Sequence, residues 1–167
     1  MLDNTGQEEI TFSSLSSSDY QSLPELTDCL IEKMDNNHVN ISLPSLRIDA
    51  FSLDVMQKIQ DIKKNSLTFA PEAGTQRLRD VINKGLTKEN ILNGSLQAFL
   101  GGWNKVKLYF MMGLPTETYD DITGIADLSE EISELYFANI PKEKRDGRVM
   151  VSASASYFVP KPFTPFQ

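Results

Sequence analysis

The 167 residues suffice for one domain with a sizeable core, and a hydrophobic content of 40% is that of a globular chain rather than a disordered one. A formal charge of -7 and a pI near 4.7 argue against non-specific binding to nucleic acid or anionic membranes, both of which need a basic field. One cysteine, Cys29, and one histidine, His38, exclude an internal disulfide and any His/Cys metal centre assembled from this chain alone.

Taken in order, Glu8 to Leu15 alternates around Ile10 and Phe12 as a strand does, and Ser18 or Asp19 caps the helix that follows. From Tyr20 to Asn36 the spacing of Leu23, Leu26, Leu30 and Met34 predicts a helix with one buried face, beside which Cys29 is expected as a small core residue. His38 to Leu43 is a second strand. Arg47 follows its carboxyl end, where a guanidinium can pair with a carboxylate or phosphate, or serve as a surface charge. Ser52 caps a second helix with Leu53, Met56, Ile59 and Ile62 on its apolar stripe.

The stretch Ser66 to Gly85 organises the chain. A strand, Ser66 to Ala70, runs into a Pro71/Gly74 turn carrying Glu72. The next helix holds Arg77 and Arg79, with Leu78, Val81 and Ile82 on its apolar face, and Gly85 ends it. In parallel sheets, ligand chemistry sits where strands end and helices begin, so Glu72 is a candidate site residue; the alternative is a solvated turn and a solvated arginine face. Thr87 caps a helix from Lys88 to about Leu100, with Ile91, Leu92, Leu96 and Phe99 inward, ended by Gly101 and Gly102. Lys105 to Met112 is a fourth strand. Thr118 and Asp121 then form a capping pattern for a long helix with Ile122, Ile125, Leu128, Ile132 and Leu135 inward and Asp127, Glu130, Glu131 and Glu134 in solvent. A fifth strand, Arg148 to Phe158, alternates small residues on both faces, as inside a crowded barrel.

This alternation predicts an α/β fold with parallel strands, right-handed crossovers and helices on the outer face. Five strands are too few for an eight-stranded barrel, which takes about 250 residues. The choice is an open doubly wound sheet or a piece of a larger barrel, and the ends of the chain favour the piece. No apolar run approaches the ~20 residues of a transmembrane helix, and no signal-peptide pattern opens the chain, so a cytoplasmic location is expected.

The runs LPSLRID, LTFAPEAGTQRLRDVINKGLT, KLYFMMGLPTET and SYFVPKPFTPFQ, in this order and spacing, resemble the core of radical S-adenosylmethionine (SAM) proteins, in particular the subgroup whose full-length members carry a cobalamin-binding-type domain. The resemblance covers nearly the whole chain. It implies residues 1–167 as a partial, open (β/α)6 barrel of TIM-like form, the five strands here matching the second to sixth of the family. It also implies SAM and a [4Fe-4S] cluster as cofactors, and cobalamin through a further domain. The family's CxxxCxxC cluster loop is not present, so this chain by itself is expected not to cleave SAM reductively.

Carried over residue by residue, the resemblance places Ser13 and Ser14 near the methionyl amino group, although the family's acidic signature there is missing. Glu72 matches a position used for ribose or substrate, and Arg77 and Arg47 are candidates for the methionyl carboxylate, Arg77 the better. Gly113 and Leu114 match a turn that lets backbone approach adenine. Glu117 is a ligand or a helix N-terminal charge, and Lys161 is expected either to face the same open end, as in the family pattern, or to be a solvated lysine. The rival readings are a non-radical α/β enzyme binding a phosphate or sugar at its strand ends, and a non-catalytic interaction module. The substrate is not legible. Self-association is expected through the open sheet edge at Glu8 to Leu15.

Overall fold

The computed structural model of the chain describes residues 66–145 and 147–166, the backbones of the strands at 9–11 and 40–42, and positions 22, 25, 26, 28, 29 and 32. The elements are β1 (Glu9–Thr11), β2 (Asn40–Ser42), β3 (Leu67–Glu72), α1 (Gln76–Val81), α2 (Lys88–Leu100), β4 (Lys105–Met112), α3 (Tyr119–Asn139), a 3-10 turn (Lys142–Lys144) and β5 (Met150–Tyr157). The strands are parallel, as expected, but form two sheets: β1 pairs with β2, and β3, β4 and β5 pair in that order. Among the described residues no ladder joins β2 to β3, so a continuous five-stranded barrel is not what these residues present. The predicted second helix, His38, Arg47, Ser13 and Ser14 lie outside the described residues.

The three-stranded sheet buries one face. Alternation along β3 and β4 sends Leu67, Phe69, Val106, Leu108 and Phe110 toward Ile91, Ala98 and Phe99 of α2 and Leu128, Ile132 and Tyr136 of α3, forming one core. Phe99 meets Tyr136 edge to face at 5.1 Å. The opposite face carries Lys107, Tyr109, Ser152 and Ser154, with Lys107 paired to Ser152 and Tyr109 to Ser154. Lys107 Nζ lies 4.8 Å over the Tyr109 ring.

Helix ends follow local chemistry. Thr87 caps α2 reciprocally with Asn90. Its other end is a Schellman motif, in which Gly102 (φ 89°) and Trp103 donate to the Phe99 and Ala98 carbonyls. The same motif corrects the predicted end of α1. Asn83 adopts the left-handed conformation (φ 52°), and Asn83 and Lys84 donate to Asp80 and Arg79, so the helix closes at Ile82 rather than running to Gly85. On a helix this short, Val81 turns out to solvent.

Three further expectations are corrected. In α3 the buried stripe is Asp121, Gly124, Leu128, Ile132 and Tyr136, which leaves Ile122 exposed, because the close contact at Gly124 sets the rotation of the helix. Leu26 and Cys29 lie three residues apart in a helical segment and are both exposed; nothing among the described residues covers that face. Arg79, for which a solvated helix face is one of the two readings, is fully buried.

The turn after β3 packs on the start of α3 at a place with no room for side chains. A Cβ on Gly74 would stand 2.5 Å from the Asp121 carbonyl oxygen and 2.6 Å from the Gly124 carbonyl carbon, and one on Gly124 would stand 2.9 Å from Thr75 Cγ2. Gly74→Ala is therefore expected to lower stability in urea unfolding by about 1–3 kcal/mol. A loss below about 0.5 kcal/mol would contradict this packing.

Candidate functional site at the strand-end rim

Because β3 and β4 are parallel neighbours, Glu72 and Gly113 emerge at the same edge of the sheet. Pro71 cannot donate to the ladder, and the register shifts between Phe69 and Glu72. Glu72 then takes a left-handed backbone (φ 68°) and binds Lys84 Nζ at 3.0 Å through Oε1. From β4, Gly113 turns the chain at φ 81°, and a Cβ there would meet nothing within 4 Å, so the space on that side of its Cα is open. Its N–H donates to Glu117 Oε2 at 2.7 Å, and Glu117 N–H returns to the Leu114 carbonyl at 3.1 Å. The Leu114 side chain is buried with Ala73 and Leu78 in a small cluster beneath the two turns.

Asp121 joins these turns. Its carboxylate accepts from Thr75 Oγ1, from Arg77, and from the backbone N–H and hydroxyl of Thr118, the last two at 2.8 Å. Burial alone pushes this carboxyl up, but the bonds from Thr75, Arg77 and Thr118 outweigh it and hold the group well below the usual carboxylate range. Arg77 also donates to the Thr116 carbonyl at 2.9 Å, which fixes Thr116 in a left-handed conformation (φ 63°) that is rare for a β-branched residue. The guanidinium thus spans both turns while its side chain remains 48% exposed.

Arg79 supports the same turn from below. It donates to the Ala73 and Gly74 carbonyls at 2.8 and 3.2 Å and to Gln76 Oε1 at 3.2 Å, and its Nε has no partner among the described residues. Burial pulls its pKa down, and nearby Asp80 partly opposes this.

The structure therefore brings Arg77, Gly113, Leu114 and Glu117 into one connected rim, with Glu72 on the neighbouring strand end. Sequence reasoning missed Asp121, Thr75 and Thr116 as the residues that connect it. Asp121 was visible only as a helix cap. The available signal was Gly124 three residues later on the same buried stripe, which marks a close neighbour.

The sequence matches the radical SAM superfamily over residues 1–129. The chain belongs to this superfamily. It is 38% identical over 149 residues to the uncharacterized protein MJ0966 of Methanocaldococcus jannaschii, a match covering 89% of this chain and 29% of that protein. Its fold is similar to that of coproporphyrinogen III oxidase (HemN) from Escherichia coli, described as a radical SAM enzyme. That likeness has a TM-score of 0.56 at 16% identity, over 77% of this chain and 29% of HemN. The radical SAM chain described here thus spans under a third of the length of either.

The low carboxyl pKa of Asp121 fixes the sign of a pH effect. A carboxyl depressed in the folded state contributes stability above its unfolded pKa of about 4, and this is lost as pH falls below it. Wild-type stability should fall on acidification below about pH 4, and Asp121→Asn should be less stable at pH 7 with a flatter acid limb. Equal acid limbs in the two proteins would contradict the role given to this carboxylate.

Proposed function

We propose that this chain forms the SAM- and substrate-facing part of a radical SAM enzyme core. The supporting observation is the rim itself: Glu72 and Gly113 leave adjacent parallel strands at one edge, in turns linked through Arg77 and Asp121. Glu72 has one carboxylate oxygen on Lys84 and offers the other to a ribose diol or a substrate hydroxyl. Gly113 and Leu114 present backbone to adenine, which fits the open space over Gly113. Arg77 directs its remaining donors at the methionyl carboxylate, with Arg47 as its counterpart, while Ser13 and Ser14 complete the methionyl end and Glu117 shapes the adenine turn by holding the Gly113 N–H.

SAM fits this set of donors and acceptors, and when bound it supplies the 5'-deoxyadenosyl group for hydrogen abstraction from substrate. The residues of this chain bind it, orient it and shield it from water. The [4Fe-4S] cluster does not fit: the sequence holds one cysteine, exposed Cys29, and cluster ligation takes several thiolates. Its ligands, like a cobalamin-binding domain of the kind found in the resembled subgroup, are assigned to polypeptide other than these 167 residues. A cytoplasmic setting belongs to the same proposal. Among the described residues no helix is long and apolar enough to cross a membrane.

Titration of SAM into the isotope-labelled chain should shift the amides of Glu72, Gly113 and Leu114. Glu72→Gln should weaken the affinity about tenfold, corresponding to ~1.4 kcal/mol. Shifts confined to other parts of the chain, or an unchanged affinity in the variant, would remove the assignment.

A further inference from the structure

The three-stranded sheet ends at β5, and this edge lacks the usual protections against pairing. Met150 N–H donates to the Asn104 carbonyl and Phe158 N–H to the Met112 carbonyl, both at 2.8 Å, which places the even-numbered residues of β5 on the β4 side. Both backbone groups of a strand residue point the same way and alternate along the strand. Val151, Ala153, Ala155 and Tyr157 therefore aim their N–H and C=O groups away from β4, at an edge that no other described strand covers. The β4–β5 register is unbroken from Lys105↔Met150 to Met112↔Tyr157, so β5 has no bulge. Neither a charge nor a proline occurs between Arg148 and Pro160. Natural edges are normally blunted by charges, prolines or bulges. Here the edge is instead flanked by exposed apolar side chains: Met150 at its start, and Tyr157, Val159 and Phe163 at and beyond its end.

We propose that β5 is a strand-pairing interface whose partner is β5 of a second copy of this chain, the two strands running antiparallel about a two-fold axis. The sequence of the edge is complementary to itself. A register centred between Ala153 and Ala155 sets Val151 opposite Tyr157 of the partner subunit and Ala153 opposite Ala155 of the partner subunit. Each of these residues has its backbone groups free to bond across. The Val/Tyr pairs at both ends are of the β-branched and aromatic type that stabilises cross-strand contacts. The chain carries a formal charge of -7, but none of it lies on this strand, so pairing brings no like charges into register. This interface differs from the β1 edge, and it does not depend on any cofactor.

Light scattering after size exclusion should show a dimer that dissociates on dilution. Hydrogen exchange should show the amides of Val151, Ala153, Ala155 and Tyr157 protected in the dimer and unprotected in the dilute protein. Ala153→Pro removes an outward N–H and leaves the β4 ladder intact, so it should give a folded monomer; Ala155→Lys, which keeps every backbone donor, should weaken the dimer at least tenfold. A monomer at all concentrations would overturn the proposal, as would a dimer lost in Ile10→Lys but kept in both β5 variants. Protection of the four amides in a monomer would also overturn it, since another part of the same chain would then cover the edge.

Discussion

Asp121 is a buried carboxylate on which both strand-end turns depend. Taking such a group out of water costs several kcal/mol unless it is fully hydrogen-bonded. Here the donors come from two separate parts of the chain, Thr75 and Arg77 on one side and Thr118 on the other. The turn after β3 and the turn after β4 therefore behave as one unit. Their approach is possible only because Gly74 and Gly124 bring backbone against backbone. Arg79, donating upward into the Ala73 and Gly74 carbonyls, keeps the first turn from relaxing away from that contact.

Where local pattern governs, the sequence predicts the structure well. Strict alternation gives β4 its observed bounds of Lys105 and Met112, and α2 starts after the Thr87 cap and stops at Gly101. It fails where the decisive partner is distant or the conformation is unusual. The end of α1 turns on Asn83 adopting a left-handed conformation, which competes with the glycine two residues on. Arg79 is buried because turn carbonyls need a donor, a demand that helix periodicity does not encode. The Arg77–Asp121 pair spans 44 positions of sequence, so Asp121 is legible as a cap and illegible as a tie. The resemblance carried by PEAGTQRLRDVINKG and GLPTET pointed to the family that the superfamily match then showed.

The rim is held in unusual backbone conformations. Glu72 and Thr116 hold backbone conformations that non-glycine residues rarely adopt, and such conformations persist where surrounding contacts over-determine them. For Thr116 that contact is Arg77. The contacts of the two turns hold Glu72 and the Gly113 backbone at one edge of neighbouring parallel strands, the arrangement on which the proposed SAM contacts rest. The sequence holds a single cysteine, so these residues do not offer the several thiolates that a cluster takes.

The central claim is that Asp121 organises a ligand-binding rim that it does not itself touch. SAM affinity measured in Asp121→Asn at neutral pH, with folding verified by circular dichroism, tests this most directly. The rim described here predicts that affinity falls at least tenfold and that the Gly113 and Leu114 amides no longer respond together with Glu72. Unchanged affinity in a folded but less stable variant would contradict it, and would leave Asp121 a purely structural residue.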